Sequence, residues 1–170
     1  MKLAPEIKWG LVIGFANMAW LYLSYFLGMH TSGLGLVQAM TGISLGITFA
    51  GFLFGLRAVS RSEGGITFLD GIRSGSIIAA VMAAVAVVTQ LGYFTVIHPG
   101  WTDYMVEETR RHYEGRNFSP EELDEAVAQA KVAFGLKSYL LQSVLGALIT
   151  GMIFTAIIML FIRTRRPRGA

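Results

Sequence analysis

Residues 9–56 contain no Asp, Glu, Lys or Arg, and two further charge-free runs cover 74–102 and 138–162. A helix needs about 20 apolar residues to cross a hydrocarbon core roughly 30 Å thick, so these runs have room for four crossings. The first run must hold two of them, because one helix through it would be far longer than a bilayer is thick. Gly28, Met29, His30, Thr31, Ser32 and Gly33 gather turn formers at its middle, which predicts a tight helix–helix connection. The pattern predicts an all-α membrane protein with spans at about 9–27, 34–56, 74–97 and 138–162. Residues 1–170 then form a single membrane domain with one long outer loop at 98–137.

Composition agrees. Hydrophobic residues make up 54% and charged ones 15%, against about 25% charged in an average soluble domain, and the mean hydropathy is +0.55. Four spans leave no length for a separate soluble catalytic domain. The chain has no Cys, which excludes disulfides, thiolate chemistry and Cys-based metal sites. The opening, with Lys2 and Lys8 before an apolar run, looks like a signal peptide. The run at 9–27 exceeds an h-region of about 7–15 residues and no small-x-small cleavage site follows, so the segment is expected to be retained.

Charge sets the expected orientation. The side shared by both termini and the 57–73 loop holds Lys2, Lys8, Arg57, Arg61, Arg73, Arg163, Arg165, Arg166 and Arg168, nine of the 14 basic residues. Cytoplasmic segments carry the Lys/Arg excess, which places both termini in the cytoplasm, as for a multi-pass protein of a bacterial inner membrane. Only three acids, Glu6, Glu63 and Asp70, share that side, for a balance of +6, while the other side carries five bases and eight acids, a balance of −3. The pI of 9.4 therefore reflects topology and implies no nucleic-acid partner. The basic edge is expected to meet anionic membrane lipids.

The outer loop reads as structured. Ser119, Pro120 and Glu122 make a helix start, with Ser as N-cap, Pro at the first helical position and Glu reaching back to the cap. Leu123, Val127, Ala130 and Phe134 continue a stripe of helical period. Before it, Glu107 faces Arg111 and Arg110 faces Glu114 at i,i+4, with 115–117 as the turn. Two short helices in an acidic hairpin are expected, displaying Glu121, Glu122, Asp124 and Glu125 to a basic membrane or periplasmic partner protein.

No ionisable side chain lies in a predicted span core. Asn17, Gln38, Gln90 and Gln142 are the amides there. They can line a pathway, but more often bridge helices at about 1 kcal/mol each. Gly10 with Gly14, Gly42 with Gly46, and Gly51 with Gly55 each place two glycines one turn apart, and Ser76, Ala80 and Ala84, or Ala147 and Gly151, do so with small residues. Such faces serve close packing of the four helices or, for the second span, contact with another copy in a homo-oligomer. His30, His98 and Asp103 could converge as metal ligands, yet none has helical ligand spacing, and a lone interfacial His is expected to contribute little to stability. No phosphate loop and no nucleophile elbow is present. Neither catalytic residues nor a cofactor is expected.

The order of features resembles the uncharacterised bacterial four-helix integral membrane family known as domain of unknown function 4199. The resemblance rests on residues 7–14 (Ile-Lys-Trp-Gly-Leu-Val-Ile-Gly), on Gly65, Ile66, Thr67 and Phe68 leading through Asp70, Gly71, Arg73, Ser74 and Gly75, on Ser119 to Glu122, and on Leu140, Leu141 and Gln142. It implies a four-helix membrane protein and brings no activity. Two functions stay open: a non-enzymatic interaction or scaffold protein, and a small oligomeric transporter or channel.

Overall fold

A computed structural model describes residues 3–31, 34–114 and 118–164. The elements, in order, are α1 (Pro5–Phe26), a 3-10 turn (Met29–Thr31), α2 (Leu34–Ser62), α3 (Phe68–Gly92) with a π turn (Tyr93–Ile97), α4 (Trp101–Glu114), α5 (Pro120–Ala133) and α6 (Leu136–Ile162). The described residues are all helix and connection, and α1, α2, α3 with its π turn, and α6 are each long and apolar enough to cross a membrane. The expected outer hairpin is α4 and α5. The expected turn at 115–117 and residues 32–33 lie outside the described residues.

The helix ends differ from the expected span ends for local reasons. Pro5 begins α1, where its missing N–H costs nothing. Arg57 does not end α2, because an arginine is at home inside a helix. The stop comes at Gly64, at φ 69°, and the Gly65 N–H donates to the Ser60 carbonyl at 2.8 Å. Thr67 starts α3: its hydroxyl accepts from the Asp70 N–H at 3.3 Å and donates to the Asp70 carboxylate.

The chain forms two compact units. The first, Met1–Ala86 with Val144–Ala170, holds α1, α2, α3 to residue 86 and α6 from residue 144. Its core is Ile13, Phe52, Leu56, Val59, Ile66, Ile78, Ala79, Met82, Ile158 and Met159. Glycine lets these helices touch. A Cβ on Gly51 would stand 2.3 Å from the Ile13 side chain, one on Gly55 3.1 Å from that of Trp9, and one on Gly10 2.6 Å from that of Val81. Large apolar residues sit on the outer stripe of each span, among them Phe15, Leu23, Phe54, Ile77, Ile153 and Leu160. Small residues thus mark the closest helix contacts while large apolar residues also face outward, as expected where lipid is the solvent.

The second unit, Val87–Ser143, contains α4 and α5 in antiparallel contact. The Thr102 hydroxyl donates to the Phe134 carbonyl at 3.0 Å, and Tyr113 meets Phe118 at 4.8 Å between ring centroids at the other end. The π turn arises before Pro99, which disfavours helical geometry at His98. His98 leaves the helix at φ −141°, and its N–H donates back five residues to Tyr93 O at 2.7 Å. That turn sets Tyr93 and His98 edge-to-face with Trp101, with centroids 6.0 and 5.7 Å away.

Candidate functional site

Each amide in the spans meets a different fate. Asn17 Nδ2 donates to the Ile13 carbonyl at 3.0 Å and to Thr48 Oγ1 at 3.1 Å, while its Oδ1 accepts from the Ser44 hydroxyl. It is a bridge from α1 to α2. Trp20 extends the seam, its indole N–H donating to the Met40 carbonyl at 3.1 Å. Gln90 is half-buried and Gln142 exposed, and the Gln38 side chain lies outside the described residues.

The histidines are better placed than an interfacial location suggests. His30, in the 3-10 turn, is 4% exposed and lies 3.0 Å through Nε2 from the hydroxyl of fully buried Ser24. The Ser24 hydroxyl also lies 2.8 Å from the Leu21 carbonyl, and the buried Ser24–His30 pair tethers the 3-10 turn to α1. His30 is thus buried and hydrogen-bonded, unlike the lone interfacial histidine expected. His98 belongs to the aromatic group of Tyr93, Trp101 and Tyr104. Asp103 is exposed on α4, whose buried residues are Trp101 and Met105. Among the described residues no three His, Asp or Glu side chains come together in a way that could hold a metal.

The glycine pairs divide. Gly10, Gly14, Gly51 and Gly55 pack within the first unit, whereas a Cβ on Gly42 or Gly46 would meet nothing within 4 Å. Of the α3 stripe read from Ser76, Ala80 and Ala84, Ser76 meets α6, its hydroxyl 3.2 Å from Met152 Sδ. Ala80 and Ala84 are exposed, and the close contacts belong to Gly71 against Met159, Gly75 against Thr155, and Ala79 against Gly151. The small-residue spacing of 71, 75 and 79 was readable, but two stripes competed and periodicity alone does not rank them. Ala147 and Gly151 do face the core.

The expected acidic surface is α5. Ser119 caps it, its hydroxyl accepting from the Glu122 N–H at 3.3 Å while Glu122 Oε2 accepts from the Ser119 N–H at 2.8 Å. Glu125 Oε1 accepts from the Gln129 amide at 3.1 Å. All four acids are exposed, but Glu122 and Glu125 are engaged within their own helix, and Glu121 and Asp124 carry the display. On α4, Arg111 pairs with Glu107 and with Glu108, each at 3.3 Å. Burial pushes the Tyr104 phenol above its ordinary value, the Glu108 carboxylate adding to the rise and the Arg111 guanidinium opposing it.

The opposite character belongs to the first unit. Lys8, Arg57, Arg61, Arg73 and Arg163 are all exposed and, among the described residues, form no ion pair. Of the acids near them, Glu6 Oε1 accepts from the Ser74 hydroxyl at 3.1 Å, and the Asp70 carboxylate accepts from the Thr67 hydroxyl.

No curated protein and no solved structure matches this chain. A family model does, over residues 8–164. On that match and its four membrane-length apolar helices, the chain belongs to the family described as protein of unknown function (DUF4199).

Proposed function

We propose that this protein works by interaction and not by catalysis: an integral protein of a bacterial cytoplasmic membrane, both termini inside, that presents α4 and α5 outside to a basic partner protein. The observation that carries the reading is the construction of α5. A helix of 14 residues is marginal alone in water, yet this one has both halves of a capping box, buries Ala130 and packs on α4. It keeps Glu121 and Asp124 exposed, without a hydrogen bond or ion pair among the described residues. Order at that cost in chain entropy suits a presented surface better than a linker. Asn17, in α1, is committed to helix pairing, which gives no support to a pathway through α1 and α2.

The test is a photo-crosslinking residue at Ala128, exposed on α5, in native membranes. The reading expects a discrete adduct that fades in 0.5 M salt and in the Glu121→Gln/Asp124→Asn variant. An adduct indifferent to both, or none, would overturn it.

A further inference from the structure

The structure assigns a second interaction surface, independent of the hairpin: a collar of Lys8, Arg57, Arg61 and Arg73 around the terminal-side end of the first unit that binds anionic phospholipid headgroups of that leaflet. The argument begins with register. Trp9 lies against Gly55 and Ile13 against Gly51, which places Arg57 level with residue 7 of α1 and Arg61 level with residue 3. Glu6 bonds Ser74 and Gly10 lies beside Ile78, which places Arg73 level with residue 5. At about 1.5 Å per residue, the four charges fall within a band of about 8 Å. The headgroup layer on one side of a bilayer is about 5–8 Å deep, the difference between its full and hydrocarbon thickness shared over two faces.

Three of the four charges also sit on the outer, apolar stripe of their helices. Arg57 follows exposed Phe54, Arg73 lies between exposed Leu69 and Ile77, and Lys8 is followed by exposed Val12. A lipid lying along such a stripe puts its acyl chain on the apolar residues and its phosphate at the basic one, and Arg and Lys stems reach along the stripe to meet it. Arg57 and Arg61, one turn apart on α2, can share one phosphate, which guanidinium binds through paired N–H groups. The collar is not spent internally, since the ion pairs seen among the described residues are those of Arg111 on α4. Zwitterionic lipid offers the same phosphate with a neutralising cation attached, so the charge of the collar selects anionic lipid.

Native mass spectrometry of the full chain in detergent tests this, titrating phosphatidylglycerol against phosphatidylcholine of identical acyl chains. The wild type should retain phosphatidylglycerol preferentially. Each Arg→Gln change at 57, 61 or 73 should lower the apparent affinity about fivefold, the equivalent of about 1 kcal/mol per basic residue near an anionic surface. Arg73→Lys should keep most of it, and Arg110→Gln with Arg111→Gln on α4 should change nothing. Equal retention of both lipids by the wild type, or collar variants that hold phosphatidylglycerol as the wild type does, would overturn the assignment. The wild-type comparison stands even where a variant fails to fold.

Discussion

Replacing Gly75 by Ala tests the packing between α3 and α6 at its tightest point. The added Cβ would lie 2.1 Å from Thr155 Oγ1, 2.4 Å from Cγ2 and 2.8 Å from Cβ. Rotating Thr155 moves the first two atoms but not its Cβ, and the rotation is opposed: the residue is fully buried and its hydroxyl donates to the Gly151 carbonyl at 2.7 Å. The helices must therefore separate, loosening Gly151 against Ala79, where an added Cβ would stand at 2.7 Å. Overpacking of this kind costs about 1–3 kcal/mol. The same change also gains helix propensity of about 1 kcal/mol. Gly42→Ala gains that propensity without the clash, since nothing lies within 4 Å of its Cβ. Subtracting the two removes the shared backbone gain and leaves a difference of about 1–3 kcal/mol, with Gly42→Ala the more stable. Thr155→Ala should relieve part of the Gly75→Ala cost in a double-mutant cycle. Equilibrium unfolding in mixed micelles with rising SDS, followed by far-UV circular dichroism, measures both. If Gly75→Ala and Gly42→Ala shift the curve equally, within about 0.5 kcal/mol, the contact described between α3 and α6 is wrong.

Ser119→Ala removes the cap of α5 and should lower protection there by about 1 kcal/mol, read by hydrogen exchange across 120–133 while α1 is unaffected. His30→Ala should cost about 1–2 kcal/mol through the lost bond to Ser24 and the lost ring packing, and a melting curve identical to wild type would return His30 to the status of a bystander. For orientation, single Cys residues at Glu63 and Glu114, both exposed, should divide in intact cells: the Glu114→Cys variant labelled by an impermeant thiol reagent, the Glu63→Cys variant protected. The reverse pattern would turn the protein over and move both the hairpin and the collar to the opposite sides.

What the amino-acid order alone determined is the number of crossings and the outline of the outer loop. Those follow from quantities that accumulate along the chain: runs without charge, helix length against bilayer thickness, and a capping box that is local to Ser119 and Glu122. The helix ends were less legible, because Arg57 looks like a border when counted as a charge and behaves as an ordinary helical residue until Gly64 changes the backbone sign. Which faces meet was decided only in three dimensions. Gly42 with Gly46 and Gly51 with Gly55 are the same motif on the same helix, yet the first pair is open and the second holds Ile13 and Trp9. Ala80 and Ala84 were as good a continuation of a small-residue stripe as Gly75 and Ala79 until Thr155 and Gly151 chose between them. In a bilayer both faces of a helix are apolar, so hydrophobicity cannot point inward. The choice passes to the fit of small residues against particular neighbours, a property of pairs of helices that no single stretch of sequence contains.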